Sequence, residues 1–369
     1  MRPAGRHSAP RRRRHGNAGA LRRQYRRGAG AGRVRHSELC GGGRDLLGAG
    51  PAGLRRARAR RRVKRPHGGD LAQARRAFGE PGGGWIDLST GVNPWPWPAP
   101  PLPPEALTRL PSEEGLADLS AAAARAFGAR RALPVPGAQA AILQLPFCVP
   151  PGDVAVVSPT YNEHAPAWQA AGHRVRLVAE PELAEVLVVT NPNNPDGRCW
   201  RPEELLAVDS GLLVVDESFV EPTPALSLAG QEHVVVLRSF GKFYGLPGLR
   251  LGFVLGPDGL LDRLEARFGP WPVSGPALEI GACAYRDEAW AAETRVRLGL
   301  AAARLDEVLA ARSFDLLGGT PLFRFVAGEG GAARFARQGL WVRSFPDMPG
   351  RFRLGLPPDE DAWARLARV

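Results

Sequence analysis

Between Leu133 and Leu255 the chain repeats one pattern, a short apolar run rich in β-branched residues followed by a helical or turn segment. The runs are Val154–Ser158, Val175–Val178, Val186–Thr190, Leu212–Asp216, Val234–Leu237 and Leu251–Leu255. Their apolar character is continuous rather than alternating. Strands of that kind are buried on both faces, which requires a mostly parallel sheet between two layers of helices. This is the signature of an α/β domain, and 369 residues leave room for a second one.

The flanking segments read differently. Asp70 is placed to cap a helix reaching Phe78, and Ile86–Ser89 reads as a short strand. Trp95–Pro104 is too dense in proline for a helix or an inner strand. Ser112–Phe127 is an Ala-rich helix with Glu113 and Glu114 in its first turn, where the helix dipole favours acids. Ala289–Arg312 reads as a long helix. Strands at Leu322–Val326, Trp341–Arg343 and Phe352–Leu356 then alternate with helices at Ala332–Gln338 and Asp359–Ala367. That alternation predicts a small α+β domain, packed with residues 66–95. The expected division is a basic arm (1–64), an N-terminal segment (65–110), a large α/β domain (111–288) and a small domain (289–369).

The net charge of +12 is unevenly spread. Residues 1–65 hold 21 Lys+Arg against Glu38 and Asp45, while the remainder holds 28 basic and 35 acidic residues. The folded body is therefore mildly acidic. Residues 1–64 are Arg, Gly and Ala with too little apolar surface to offset the entropy of ordering, so disorder is expected there. The arm reads as translated upstream sequence ahead of a start near residue 64, as a basic tail, or as a targeting segment. A DNA-binding regulator would need a helix-turn-helix there, and no such periodicity exists, so a nucleic-acid partner is not expected. No apolar run reaches the roughly 18 residues of a membrane span. Cys40, Cys148, Cys199 and Cys283 form no CxxC pair, which fits a reducing cytoplasm and neither a metal site nor a disulfide framework.

Chemistry gathers at the ends of the predicted strands, where ligands bind in open parallel sheets. Lys242 is one of only two lysines, against 47 arginines. Unlike arginine, a desolvated lysine can lose its proton and condense with a carbonyl. Ser239 precedes it by three residues and Arg250 follows by eight, a hydroxyl and a guanidinium suited to a phosphate. Together these residues suit pyridoxal phosphate. Asp216 closes the strand Leu212–Val215, where a carboxylate either keeps a pyridine nitrogen protonated or caps a turn. Asn194 lies in the turn after Thr190 and can donate to a phenolic oxygen. Gly137, Ala138 and Gln139 open a helix whose free N–H groups make a phosphate cradle. Tyr161 either lies flat on an aromatic ring or simply packs in its turn. Arg343 and Arg353 fall on neighbouring C-terminal strands and suit bidentate capture of two anions.

In this order the motifs resemble the fold-type I pyridoxal phosphate enzymes of the class I/II aminotransferase family, over residues 66–369. Within the histidinol-phosphate aminotransferase branch, the chain is most similar to the cobalamin-pathway L-threonine-O-3-phosphate decarboxylases. The carrying residues are His67–Leu71, Asp87–Pro94, Asn191–Arg198, Asp216–Phe219 and the stretch Ser239–Gly252. The resemblance implies that Lys242 joins the cofactor aldehyde, Asp216 pairs with the ring nitrogen, Asn194 meets the phenolic oxygen and Tyr161 stacks on the ring. Gly137, Ala138, Gln139, Ser239 and Arg250 would surround the cofactor phosphate. Arg353 would clamp the substrate carboxylate and Arg343 its phosphate, with His67, Thr90 and Asn93 as further substrate ligands. A homodimer is also implied. Two positions depart from the pattern: Phe219 replaces a tyrosine common in relatives, and Leu110 replaces one that reaches across the subunit boundary. The implied reaction is decarboxylation of L-threonine O-3-phosphate, with Lys242 or Tyr244 returning a proton to Cα. The alternative is transamination of histidinol phosphate or a related amino acid.

Overall fold

The computed structural model describes residues 67–369, so the expectations for residues 1–64 lie outside the described residues. Its centre is a seven-stranded sheet. In spatial order the strands are Leu133–Val135, Gly252–Leu255, Val234–Ser239, Leu212–Asp216, Val186–Thr190, Asp153–Val157 and Arg174–Val178. Gly252–Leu255 runs antiparallel to both neighbours, and every other adjacent pair is parallel.

The continuous apolar runs are explained by two cores, one on each face of the sheet. Leu187, Val189, Leu213, Val215 and Val236 point into one, with Leu119 and Ala123 of helix Glu113–Phe127 and Ala277 of helix Gly275–Arg286. The alternate residues Val186, Val188, Leu212, Val214 and Val235 point into the other, with Leu260, Leu261 and Leu264 of helix Asp258–Phe268. A one-residue slip would exchange the two sets, so both cores pin the register. The sheet edge Arg174–Val178 is guarded by charge, with Arg174 paired to Asp153 and Arg176 to Glu182.

The second domain carries a four-stranded sheet in the order Arg343–Ser344, Arg351–Gly355, Phe323–Ala327, Asp315–Thr320, with neighbours antiparallel. The expected strand Trp341–Arg343 divides between two sheets. Leu340–Trp341 pairs in parallel with Ile86–Asp87, whereas Arg343–Ser344 pairs with Arg351–Gly355. The first of these pairings brings the N-terminal segment onto the C-terminal domain. The strand at Ile86 stops at Asp87, short of Ser89, because the Ser89 amide and hydroxyl both donate to Asp87 Oδ1 and turn the chain. Among the described residues, no helix is long and apolar enough to cross a membrane.

Candidate active site

Loops leaving the carboxyl ends of the parallel strands meet at one cavity of about 270 Å3. Of the expected site residues, Gly137, Ala138, Gln139, Tyr161, Asn194, Asp216, Ser239, Lys242 and Arg250 line it from the large domain. Arg353 closes it from the small sheet, and His67 and Thr90 from the N-terminal segment. The cavity thus draws on three separated parts of the chain.

The cationic side is crowded. Arg353 is 7% exposed and donates to Asn194 Oδ1 (2.5 Å) and to the Ser89 carbonyl (2.7 Å). Its Nε is buried without a partner. Burial and the nearby Arg343 pull the Arg353 guanidinium down to about 10. Arg343 faces Arg353 across adjacent antiparallel strands, so the two side chains share one face of the sheet. Lys242 Nζ donates to the Thr90 carbonyl (3.4 Å). Burial, reinforced by the charges of Arg353 and Arg250 and opposed by Asp216, lowers the Lys242 amine to about 8. A lysine in that range supplies a useful neutral fraction near pH 7, as nucleophilic and general-base lysines require.

Asp216 forms the opposite wall and is 2% exposed. Its Oδ2 bonds His164 Nε2 (2.9 Å), and its Oδ1 accepts from the Ser218 amide (3.0 Å) and hydroxyl (2.6 Å). Burial alone would raise this carboxyl, but His164 and the two Ser218 bonds outweigh it and hold it below the usual range. The group is an anion set deep in the cavity. Tyr161 donates to Gln139 Oε1 (2.7 Å), and burial beside Glu163 and Asp216 pushes its phenol up to about 12. It is therefore neutral, and its ring meets that of His164 edge-on at 6.0 Å.

Two expectations need correction. Asn93 does not line the cavity: its Nδ2 donates to the Phe243 carbonyl (2.8 Å) and its Oδ1 accepts from the Trp95 amide (3.0 Å). The Nδ2 bond fastens the N-terminal segment to the Lys242 helix, Phe240–Phe243, and the Oδ1 bond closes a local turn within the segment. Tyr244 is 4% exposed and stacks between Phe240 and Trp290, which removes it as a proton donor to the cavity. Arg343 stands just outside the cavity wall, half-buried beside Arg353 and Tyr161. His164 and Ser218, which orient Asp216, escaped the sequence reading. The available signal was spacing, since His164 follows Tyr161 by three residues and its amide donates to the Tyr161 carbonyl (3.3 Å) in the turn that leads into helix His164–Ala170.

The end of the cavity at Gly137 and Arg250 depends on two backbone features. Gly137 has φ +80°, and a Cβ there would lie 3.0 Å from an Arg250 terminal nitrogen. Glycine is required both for the turn and for the close approach of the guanidinium. Arg250 itself is left-handed, at φ 55°, a conformation that costs a non-glycine residue about 1–3 kcal/mol. It directs the guanidinium over the start of helix Ala138–Gln144, whose first N–H groups have no acceptor within the helix.

An Aminotransferase class I and II family model matches residues 104–368, and the chain belongs to that family. The relatives sharpen the comparison. The chain is 46% identical over 319 residues to a threonine-phosphate decarboxylase of Pseudomonas aeruginosa, covering 81% of this chain and 95% of the relative. It is 39% identical over 323 residues to a threonine-phosphate decarboxylase of Sinorhizobium sp, covering 82% and 96%. Among solved structures, it resembles histidinol-phosphate aminotransferase from Sinorhizobium meliloti in complex with pyridoxal-5'-phosphate. That match has a TM-score of 0.62 at 20% identity and covers 82% of this chain and 94% of the other, a likeness of fold.

Pyridoxal phosphate is the family's cofactor, and the residues present fit it. A buried carboxylate, a lysine with lowered pKa and a glycine cradle under an arginine line a single cavity.

Proposed function

We propose that this chain is a pyridoxal phosphate-dependent decarboxylase acting on L-threonine O-3-phosphate. The observation that carries the reading is Arg353 in the wall of a cofactor-type cavity, with Arg343 opposite it on the adjoining strand just outside that wall. Like charges directly opposed across two strands are destabilising in isolation. A substrate bearing both a carboxylate and a phosphate relieves that repulsion at both positions. The 46% and 39% identity to two threonine-phosphate decarboxylases, over 81% and 82% of this chain, supports the same substrate class.

Bound pyridoxal phosphate supplies an aldehyde carbon and an electron-accepting ring. We assign Lys242 to the aldehyde, Asp216 to the ring nitrogen, Tyr161 to the ring face and Asn194 to the phenolic oxygen. The phosphate falls to Ser239, Arg250 and the amides of Ala138 and Gln139. Arg353, with its unpaired Nε, takes the substrate carboxylate; Arg343 takes the substrate phosphate, with His67 and Thr90 at the rim. Two anchored anions fix the orientation of the Cα substituents, and positioning of this kind can lower the barrier by about 7–11 kcal/mol. The Cα–carboxylate bond breaks, carbon dioxide leaves, and Lys242 returns one proton to Cα, giving 1-aminopropan-2-yl phosphate. Phe219 stands next to Asp216 and Ser218 with no hydroxyl to offer, so Asn194 is the side chain assigned to the phenolic oxygen.

We also propose a homodimer. Leu107 and Leu110 are 73% and 67% exposed, and the Ala106 backbone beside them abuts Gly275, four residues from the exposed Trp271. This apolar surface supports the reading. The proposed activity is tested by mass spectrometry of the products from L-threonine O-3-phosphate, with and without 2-oxoglutarate. Aminopropanol phosphate formed without the keto acid is expected; a product that requires it would place the chain with the aminotransferases.

A further inference from the structure

One buried charge cluster has no part in the chemistry above, yet lies back to back with it. Arg238 is 4% exposed, and Glu217 and Glu221 are 1% and 8% exposed. Arg238 bonds Glu217 Oε2 (2.8 Å) through one terminal nitrogen and Glu221 Oε1 through the other. Glu217 also accepts from the Ser227 hydroxyl (2.6 Å) and the Leu228 amide (2.6 Å), and Arg295 bonds the Glu221 carbonyl (2.8 Å). The Arg238 guanidinium covers the Phe127 ring at 4.4 Å.

The placement follows from strand alternation. Asp216 and Ser239 end adjacent parallel strands and line the cavity; Glu217 and Arg238, next to them in sequence, face the other way. The last backbone bond between these strands runs from the Glu217 amide to the Leu237 carbonyl (2.9 Å). The Arg238–Glu217 bond lies just past it, where the ladder stops and the site begins. Along the loop, Asp216, Ser218 and Phe219 line the cavity, while Glu217 and Glu221 grip Arg238. An apolar pair would fill this space without fixing a direction. A guanidinium fork between two carboxylates fixes the loop in two places.

We propose that Arg238 is a positioning residue for the cofactor, setting through Glu217 and Glu221 the separation between Asp216 and Ser239. This rests on the reading of the cavity as a pyridoxal phosphate site. Those two residues are assigned to opposite ends of one rigid molecule, so an error in their spacing penalises a ligand that must reach both. A ligand lacking the phosphate escapes the penalty.

The test titrates cofactor-free chain with pyridoxal phosphate and with pyridoxal, following the visible absorbance. The variant is Arg238→Met combined with Glu217→Gln and Glu221→Gln, which removes the whole triad, one positive charge and two negative, so that none of its three members is left buried without its partner. It should melt cooperatively, since whole replacement of a buried ion triad is tolerated in another protein. Its Kd for pyridoxal phosphate should rise at least tenfold, and its Kd for pyridoxal less than threefold. Equal losses for both ligands, or none, overturn the proposal. If the triple variant does not fold, Arg238→Lys keeps the charge but loses the fork. It should show the same selective loss, and parent-like binding of both ligands by that variant overturns the proposal. Failure of the parent chain to bind pyridoxal phosphate removes the cofactor reading and this proposal together.

Discussion

Lys242 should make the cofactor-free protein less stable near neutral pH, and removing it should show by how much. Its amine is lowered from 10.5 to about 8, chiefly by burial and then by Arg353 and Arg250. The sign follows from linkage: the folded state binds the lysine proton less tightly than the unfolded chain does. The penalty is therefore complete below pH 8, shrinks as pH rises from 8, and is gone above about 10.5. A shift of this size corresponds to at most about 3 kcal/mol, reduced by whatever solvent reaches the half-buried side chain. Lys242→Met, similar in length and uncharged, should accordingly be more stable than the parent by about 1–3 kcal/mol at pH 7. Urea denaturation of both cofactor-free proteins at pH 7 and pH 10.5 measures the difference, which should be largest at the lower pH. A variant equal to or less stable than the parent at pH 7 would refute the account of the lysine. The same shift raises the neutral amine fraction at pH 7 by roughly 300-fold over an ordinary lysine, so the destabilisation accompanies a gain in nucleophile.

Other expectations concern single contacts. Asp216→Asn should retain pyridoxal phosphate but lose turnover by about 100-fold or more, as for a positioned charge in a dry site; near-parent rates in steady-state assays would refute its assignment to the ring nitrogen. Gly137→Ala adds a Cβ at φ +80° and 3.0 Å from Arg250, so equilibrium titration should give a cofactor Kd about tenfold higher or more. Arg353→Leu should abolish saturation by substrate in kinetic assays while the cofactor absorbance persists. Arg343→Leu should narrow the preference for L-threonine O-3-phosphate over L-threonine, read as a ratio of kcat/KM values.

Much of this arrangement was legible before any coordinates. The continuous apolar runs announced a doubly covered sheet, and each observed strand from Asp153 to Leu255 begins and ends within two residues of its expected place. Lys242 stood out because the chain writes almost every other basic position as arginine. Strand ends then pointed to Asp216 and Asn194. What escaped notice depends on long-range partners. Arg238 reads as one more strand-end arginine, and only the fold shows Glu217 and Glu221 gripping it. His164 has no local pattern beyond its distance from Tyr161. The strand Asp315–Thr320 was missed because Gly318 and Gly319 erase its side-chain pattern; both press their bare backbones against neighbouring chain, Gly318 at the Asp196 carbonyl. Asn93 and Tyr244 were misread for the opposite reason. Their motifs were recognised, but the structure spends both side chains on holding the Lys242 helix.

The proposed reaction relies on two opposed arginines and a poised lysine to direct cleavage of the Cα–carboxylate bond. Its most direct test is L-threonine O-3-phosphate labelled with carbon-13 in the carboxylate, given to the cofactor-loaded enzyme without any keto acid in deuterated water. One labelled carbon dioxide per aminopropanol phosphate is expected, with a single deuterium at the former Cα. Label retained in the product, or turnover only when 2-oxoglutarate is supplied, would contradict it.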